Sequence, residues 1–284
     1  ENPSLKNNGE KGFFKLTVSG FSNTNPIGLK NNKFGLPVDL GFEAYKIAKK
    51  LKNIKIIGVD CHIGSQILEM EPFIEATERV LNFVIQLNSL NIKITHINLG
   101  GGLGVCYKDE TPPTMKMFFK KILKKIEFWA NKNCIEMPSI IFEFGRSIIA
   151  NAGILICKVN YLKESNENDG KNFAVVDAAM NDLMRPSLYN AYHEVIPLEI
   201  NNENIKKKWD IVGPICESGD WLAKKRMLNL TEGCLLAFAS AGAYCSSMSS
   251  NYNSRFKASE IIVRKNGDIQ LIRKRESFDD LIKN

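Results

Sequence analysis

Apolar residues recur at helical spacing over residues 42–51. They do so again over 72–90 (Phe73, Ile74, Ala76, Val80, Leu81, Val84, Leu87) and a third time over 115–130. A period near 3.6 gathers such positions on one face, which predicts three amphipathic helices. Short β-branched or apolar runs at 15–18, 54–59, 92–99 and 140–142 predict strands. Strands alternating with helices predict βαβ units around a parallel sheet. The last three runs lead into polar or glycine-rich residues: Asp60-Cys61-His62, Gly100-Gly101-Gly102 and Glu143. Barrels and doubly wound sheets place their sites at the carboxyl ends of parallel strands. Asn23-Thr24-Asn25-Pro26 reads as a turn.

Beyond about residue 150 the pattern changes. Strands are expected at 154–161, 173–177, 209–212, 234–239, 260–264 and 269–272, with short turns and a polar loop at 164–171. Asn266-Gly267 is a hairpin signal. A boundary near 150 divides an α/β domain (1–150) from a mostly β domain (151–284).

Composition narrows the class. The 284 residues are 44% hydrophobic and 24% charged, as in ordinary globular chains. No apolar run approaches the roughly 20 residues of a membrane span, and no signal-peptide pattern opens the chain. Net charge is +7, but Lys and Arg are scattered. Lys120-Lys121 and Lys124-Lys125 read as a solvated helix face, so no nucleic-acid partner is expected. Seven Cys without CxxC pairs argue against a disulfide framework or a metal site and for a reducing cytosol.

Six stretches offer chemistry. Gly100 to Gly104 lets backbone N–H groups approach a phosphate, or simply makes a tight turn. His62 offers a ring for a flat cofactor, or a structural histidine; Ser65 offers a hydroxyl. Glu143 and Arg146 flank Gly145. A carboxylate buried there needs a partner, either a pyridinium N–H or the guanidinium itself. Arg146 has the fork of donors that suits a substrate carboxylate. Arg185 and Tyr189 place a guanidinium and a phenol in one short stretch, which suits a dicarboxylate or is a surface loop. Cys216 and Glu217, between Gly213-Pro214 and Gly219, present a thiol beside a carboxylate whose charge favours the protonated, donating thiol. Tyr244 opens a hydroxyl-rich stretch able to reach a phosphate, or a flexible loop.

The order of these segments resembles the diaminopimelate decarboxylases, fold-type III enzymes related to alanine racemase and ornithine decarboxylase. The resemblance rests on residues 28–35, 62–66, 100–104, 143–147, 180–189, 213–220 and 242–253. It implies the C-terminal half of a (β/α)8 TIM-type barrel, with about four of its strands, followed by a mostly antiparallel β-sandwich or barrel domain. It further implies pyridoxal 5'-phosphate as cofactor. His62 would stack on its ring, Glu143 would bond its ring nitrogen, and Ser65, Gly101, Gly102, Gly145 and Tyr244 would surround its phosphate. Arg146, Arg185 and Tyr189 would bind substrate carboxylate, with Arg146 also touching the cofactor and Tyr244 also touching the substrate. In a head-to-tail homodimer with shared sites, Glu217 would hold the distal amino group of meso-diaminopimelate. Cys216 would protonate the carbon left when CO2 departs, giving L-lysine. Such an enzyme is cytoplasmic.

Two departures stand out. The Tyr-Ala-x-Lys-type segment carrying the family's Schiff-base lysine has no counterpart among these residues, so the chain reads as N-terminally truncated and inactive alone. Phe144 stands where the family usually has Pro. The alternatives are an inactive remnant that still dimerises or binds a ligand, and a related decarboxylase of arginine, ornithine or carboxynorspermidine.

Overall fold

The computed structural model describes residues 12–19, 34–166, 170–199 and 206–283. The expected turn at 23–26, most of the 28–35 segment and the centre of the 164–171 loop lie outside them. The chain forms two compact units. One comprises Glu1–Val105 with Glu110–Ile148, the other Cys106–Asp109 with Ile149–Asn284.

The first unit is an α/β layer. Strands β1 (Gly12–Ser19), β2 (Leu36–Pro37), β3 (Ile54–Asp60), β4 (His96–Asn98) and β5 (Ser139–Ile141) pair in the order β2-β1-β3-β4-β5. Every pairing is parallel. This is one strand more than the four expected, the addition being the two-residue β2. Helices α1 (Val38–Lys50), α2 (Glu71–Ser89) and α3 (Met115–Lys132) supply the apolar stripes. Phe73, Val80, Val84 and Leu87 of α2 are buried, as are Phe118, Ile122 and Ile126 of α3. The rings of Phe73 and Phe118 meet edge to face, 5.0 Å apart. Lys120, Lys121 and Lys124 lie on the solvated side of α3.

The apolar run at 92–99 yields only a three-residue strand. Its first half closes α2 instead. Asn91 takes a left-handed φ of 56°. The N–H of Ile92 reaches the carbonyl of Leu87 and that of Asn91 the carbonyl of Asn88, so both satisfy the helix's last carbonyls. Cys134 (φ 52°) ends α3 in the same way.

The second unit is built on a six-stranded sheet of order β10-β9-β7-β6-β11-β8. Its strands are β6 (Leu155–Lys163), β7 (Asn172–Val176), β8 (Val195–Pro197), β9 (Lys207–Val212), β10 (Trp221–Leu228) and β11 (Leu235–Phe238). Only β7 and β9 run parallel. Trp209, Ile211, Leu222, Leu236 and Phe238 are fully buried in its core. Strand β10 had no counterpart in the sequence reading. Two register shifts and a left-handed Lys225 (φ 55°) break its alternation, so no period of two shows. A separate hairpin, β12 (Glu260–Val263) with β13 (Ile269–Arg273), turns at Gly267. The short helices are α4 (Arg146–Ile149), α5 (Arg185–Tyr189) and α6 (Phe278–Ile282). No helix among the described residues is long and apolar enough to cross a membrane.

Candidate functional site

In the first unit the sheet's hydrogen bonds continue past the strand ends. Cys61 N donates to Asn98 O, Leu99 N to Ile141 O and Glu143 N to Gly100 O. Three strand-end segments are thereby drawn together, and glycine is what lets them close. A Cβ on Gly101 would stand 2.2 Å from the Glu143 carbonyl oxygen. Gly102 has φ +99°, and a Cβ there would meet the Gly64 carbonyl at 2.3 Å. Both distances are impossible for real side chains, so the floor is bare backbone.

Polar side chains stand on this floor. Buried Asn98 accepts from Gly100 N (2.9 Å) through Oδ1 and donates to Glu143 Oε1 through Nδ2. His62, half-buried, accepts from Gly101 N at Nδ1 (3.2 Å). That leaves the ring proton on Nε2. Arg146 Nη2 donates to Ser65 Oγ (3.0 Å). His62, Ser65, Gly101, Gly102, Glu143, Gly145 and Arg146 therefore share one strand-end surface. Glu143 was expected to be buried, but it is exposed two residues beyond the end of β5, with one carboxylate oxygen still held by buried Asn98. The Gly101 N–H, expected at a phosphate, is taken by His62. Beneath lies Cys61, whose thiol is pushed well up by burial first, then by Asp60 and Glu143. It stays a protonated apolar filler.

Phe144 has its own packing. Its ring stacks on Phe142, with centroids 5.4 Å apart, and meets Phe118 edge to face at 5.2 Å. An aromatic residue here joins the segment to α3.

The second unit holds the other candidates. Residues 185–189 form a short helix rather than a surface loop. Arg185 is buried while Tyr189 is 65% exposed. Cys216 and Glu217 are both exposed. Their loop hangs on Asp220, which is 4% exposed. Its carboxylate accepts from Ile215 N (2.9 Å) and Met180 N (2.7 Å). Glu217 accepts from Gly219 N (3.1 Å) and the Tyr252 hydroxyl (3.4 Å). Tyr244 is partly exposed in a left-handed conformation (φ 60°). Its segment is folded into turns and two 3-10 turns rather than an irregular loop. Burial raises the pKa of Asp220 and of Asp182, the latter despite its bonds from Ala179 N and Arg255.

Sequence reading missed Asn98, Asp220, Asn181, His193 and Tyr107. Asn98 was legible, being a polar residue at the end of an apolar run, two positions before the first glycine. Tyr107 and Asn181 act through partners far along the chain, and Asp220 and His193 each join a near partner (Ile215, Arg185) to a distant one (Met180, Ala239), so no local pattern marks them.

The sequence pattern described as "Pyridoxal-dependent decarboxylase, pyridoxal binding domain" matches residues 15–150. The diaminopimelate decarboxylase of Haemophilus influenzae is 49% identical over 255 residues, covering 89% of this chain and 59% of that protein. The chain is similar to the diaminopimelate decarboxylases over about nine-tenths of its length. Solved relatives agree. The M. jannaschii enzyme in co-complex with L-lysine superposes with a TM-score of 0.87 at 40% identity, over 96% of this chain and 63% of that one. The Helicobacter pylori enzyme complexed with L-lysine gives 0.85 at 37%, over 96% and 66%. The fold is thus that of the fold-type III enzymes, a TIM-like barrel region with a β domain. The chain spans about three-fifths of the length of the curated relatives it matches.

The family's cofactor is pyridoxal phosphate, and the strand-end surface fits it chemically. The floor has no side chains to displace. One guanidinium and the Ser65 hydroxyl suit a phosphate. The Ser147 hydroxyl, next to Arg146, is buried with no hydrogen-bond partner among the described residues. An exposed carboxylate, Glu143, suits a pyridinium N–H.

Proposed function

We propose that this chain carries the cofactor cradle and substrate-recognition loops of a diaminopimelate decarboxylase, which converts meso-2,6-diaminopimelate to L-lysine and CO2 in the cytoplasm. The observation that carries this reading is the convergence of His62, Ser65, Glu143 and Arg146 on a glycine floor, in a chain 49% identical to such an enzyme.

Bound pyridoxal phosphate supplies an electron sink for the electron pair released as CO2 leaves. The protein supplies the rest. Glu143, kept as an acceptor by Asn98, takes the hydrogen bond of the ring nitrogen and keeps that nitrogen protonated. Arg146, Ser65, Gly145 and the neighbouring backbone hold the phosphate. His62 lays its ring against the cofactor. Arg185 and Tyr189 take a substrate carboxylate. In a homodimer the loop with Cys216 and Glu217 completes the partner subunit's site. There Glu217 binds the distal ammonium, and the Cys216 Sγ–H delivers a proton to the carbon that has lost CO2. Exposure of both side chains suits such a reach.

The test is a chimera joining this chain to the N-terminal portion of the H. influenzae relative. It should release labelled CO2 from meso-diaminopimelate and form L-lysine, while the 284-residue chain alone releases none. A chimera that decarboxylates arginine or ornithine instead, or nothing, refutes the reading.

A further inference from the structure

We propose that His193 is a positioning residue that fixes the guanidinium of Arg185. This rests on the reading of Arg185 as a carboxylate anchor. His193 is fully buried. Its Nδ1 lies 2.9 Å from the Ala239 carbonyl oxygen, which only accepts, so Nδ1 carries the proton. Its Nε2 lies 3.0 Å from Arg185 Nη1, which only donates, so Nε2 offers its lone pair. The two contacts together select one neutral tautomer.

Tyr107 packs on both groups. Its ring meets His193 edge to face at 5.3 Å and lies under the Arg185 guanidinium at 4.7 Å. Arg226 Nη2 donates to the His193 carbonyl (2.9 Å) and pins the backbone that carries the imidazole. The guanidinium plane is therefore set by an acceptor at one nitrogen and an aromatic face below.

The choice of partner has a chemical consequence. A carboxylate at the position of Nε2 would cancel the charge of Arg185, whereas a neutral imidazole holds one N–H and leaves the charge in place. A guanidinium already held in one orientation loses less conformational freedom when a carboxylate arrives. In this arrangement His193 serves substrate affinity rather than proton transfer.

The chain has three histidines, so nitrogen NMR of their side chains resolves His193 directly, with His62→Gln and His96→Gln for assignment. The expected spectrum shows His193 as the Nδ1–H tautomer with an Nε2 resonance that moves in Arg185→Met. The other tautomer, or an Nε2 that ignores Arg185→Met, overturns the proposal. The second arm titrates meso-diaminopimelate into the chain with pyridoxal phosphate present. His193→Phe should weaken binding about tenfold, the equivalent of roughly 1.4 kcal/mol, and His193→Gln should recover most of it by offering an amide oxygen to Arg185. Equal binding by the parent and His193→Phe also overturns the proposal. Absence of binding in the parent counts against the assignment of the site, and the NMR arm then decides the role of His193 alone.

Discussion

In the first unit the candidate side chains stand on backbone. Strand ends pressed together at Gly101 and Gly102 set where His62, Ser65, Glu143 and Arg146 begin. In the second unit the candidates hang from buried polar anchors. Asp220 ties the Cys216 loop to Met180, and His193 ties Arg185 to Ala239. A backbone-built surface tolerates change in its rim but not in its floor. An anchor-built one tolerates change at the exposed tip but not at the anchor.

That contrast breaks most readily at Asp220. Asp220→Ala leaves two N–H groups without their acceptor, at roughly 1–3 kcal/mol each. Unfolding in urea, followed through Trp209 and Trp221, should show a loss of about 2–4 kcal/mol. A loss under about 1 kcal/mol would mean the loop does not depend on its anchor. Gly101→Ala should cost the first unit roughly 1–3 kcal/mol, because the Glu143 backbone must move. Trp129 reports that unit, and an unchanged midpoint would show that the strand ends are not tightly closed.

The anchors also predict a dependence on pH. Burial holds the carboxyls of Asp182 and Asp220 above the ordinary aspartate value of 3.8. The folded state binds their protons more tightly than the unfolded chain, so ionising them as pH rises costs stability. Their contribution therefore improves as pH falls from neutrality through the raised values and is complete below 3.8. Asp280, held down to about 2 by its bonds to Ser277, works in the opposite sense at the acid end. The comparison is thus parent against Asp220→Asn across pH. The parent should gain on the variant as pH drops, and a parent that loses ground would reverse the sign. The smallest effect is expected at the rim of the first unit. Phe144→Pro gives up the ring contacts to Phe142 and Phe118, about 1 kcal/mol by the usual worth of aromatic pairs. No change in the Trp129 transition would make Phe144 a passenger.

The same contrast explains what the sequence disclosed. Helices α1, α2 and α3 were legible because their buried faces repeat at 3.6 residues. The glycine floor was legible because close backbone approach permits no other residue. Strand β10 was hidden by its bulges, and the 92–99 run was misread because Ile92 and Ile94 are buried outside the strand, with Ile92 closing a helix. His193 and Asp220 were hidden because each anchor is completed only by a partner far along the chain, Ala239 or Met180.

The account turns on the first unit's cradle, and phosphorus NMR of pyridoxal phosphate titrated into the chain tests it most directly. One saturable site per chain is expected, lost in Arg146→Ala at an unchanged Trp129 unfolding transition. A phosphate resonance that shifts without saturating, or saturates equally in Arg146→Ala, would contradict it.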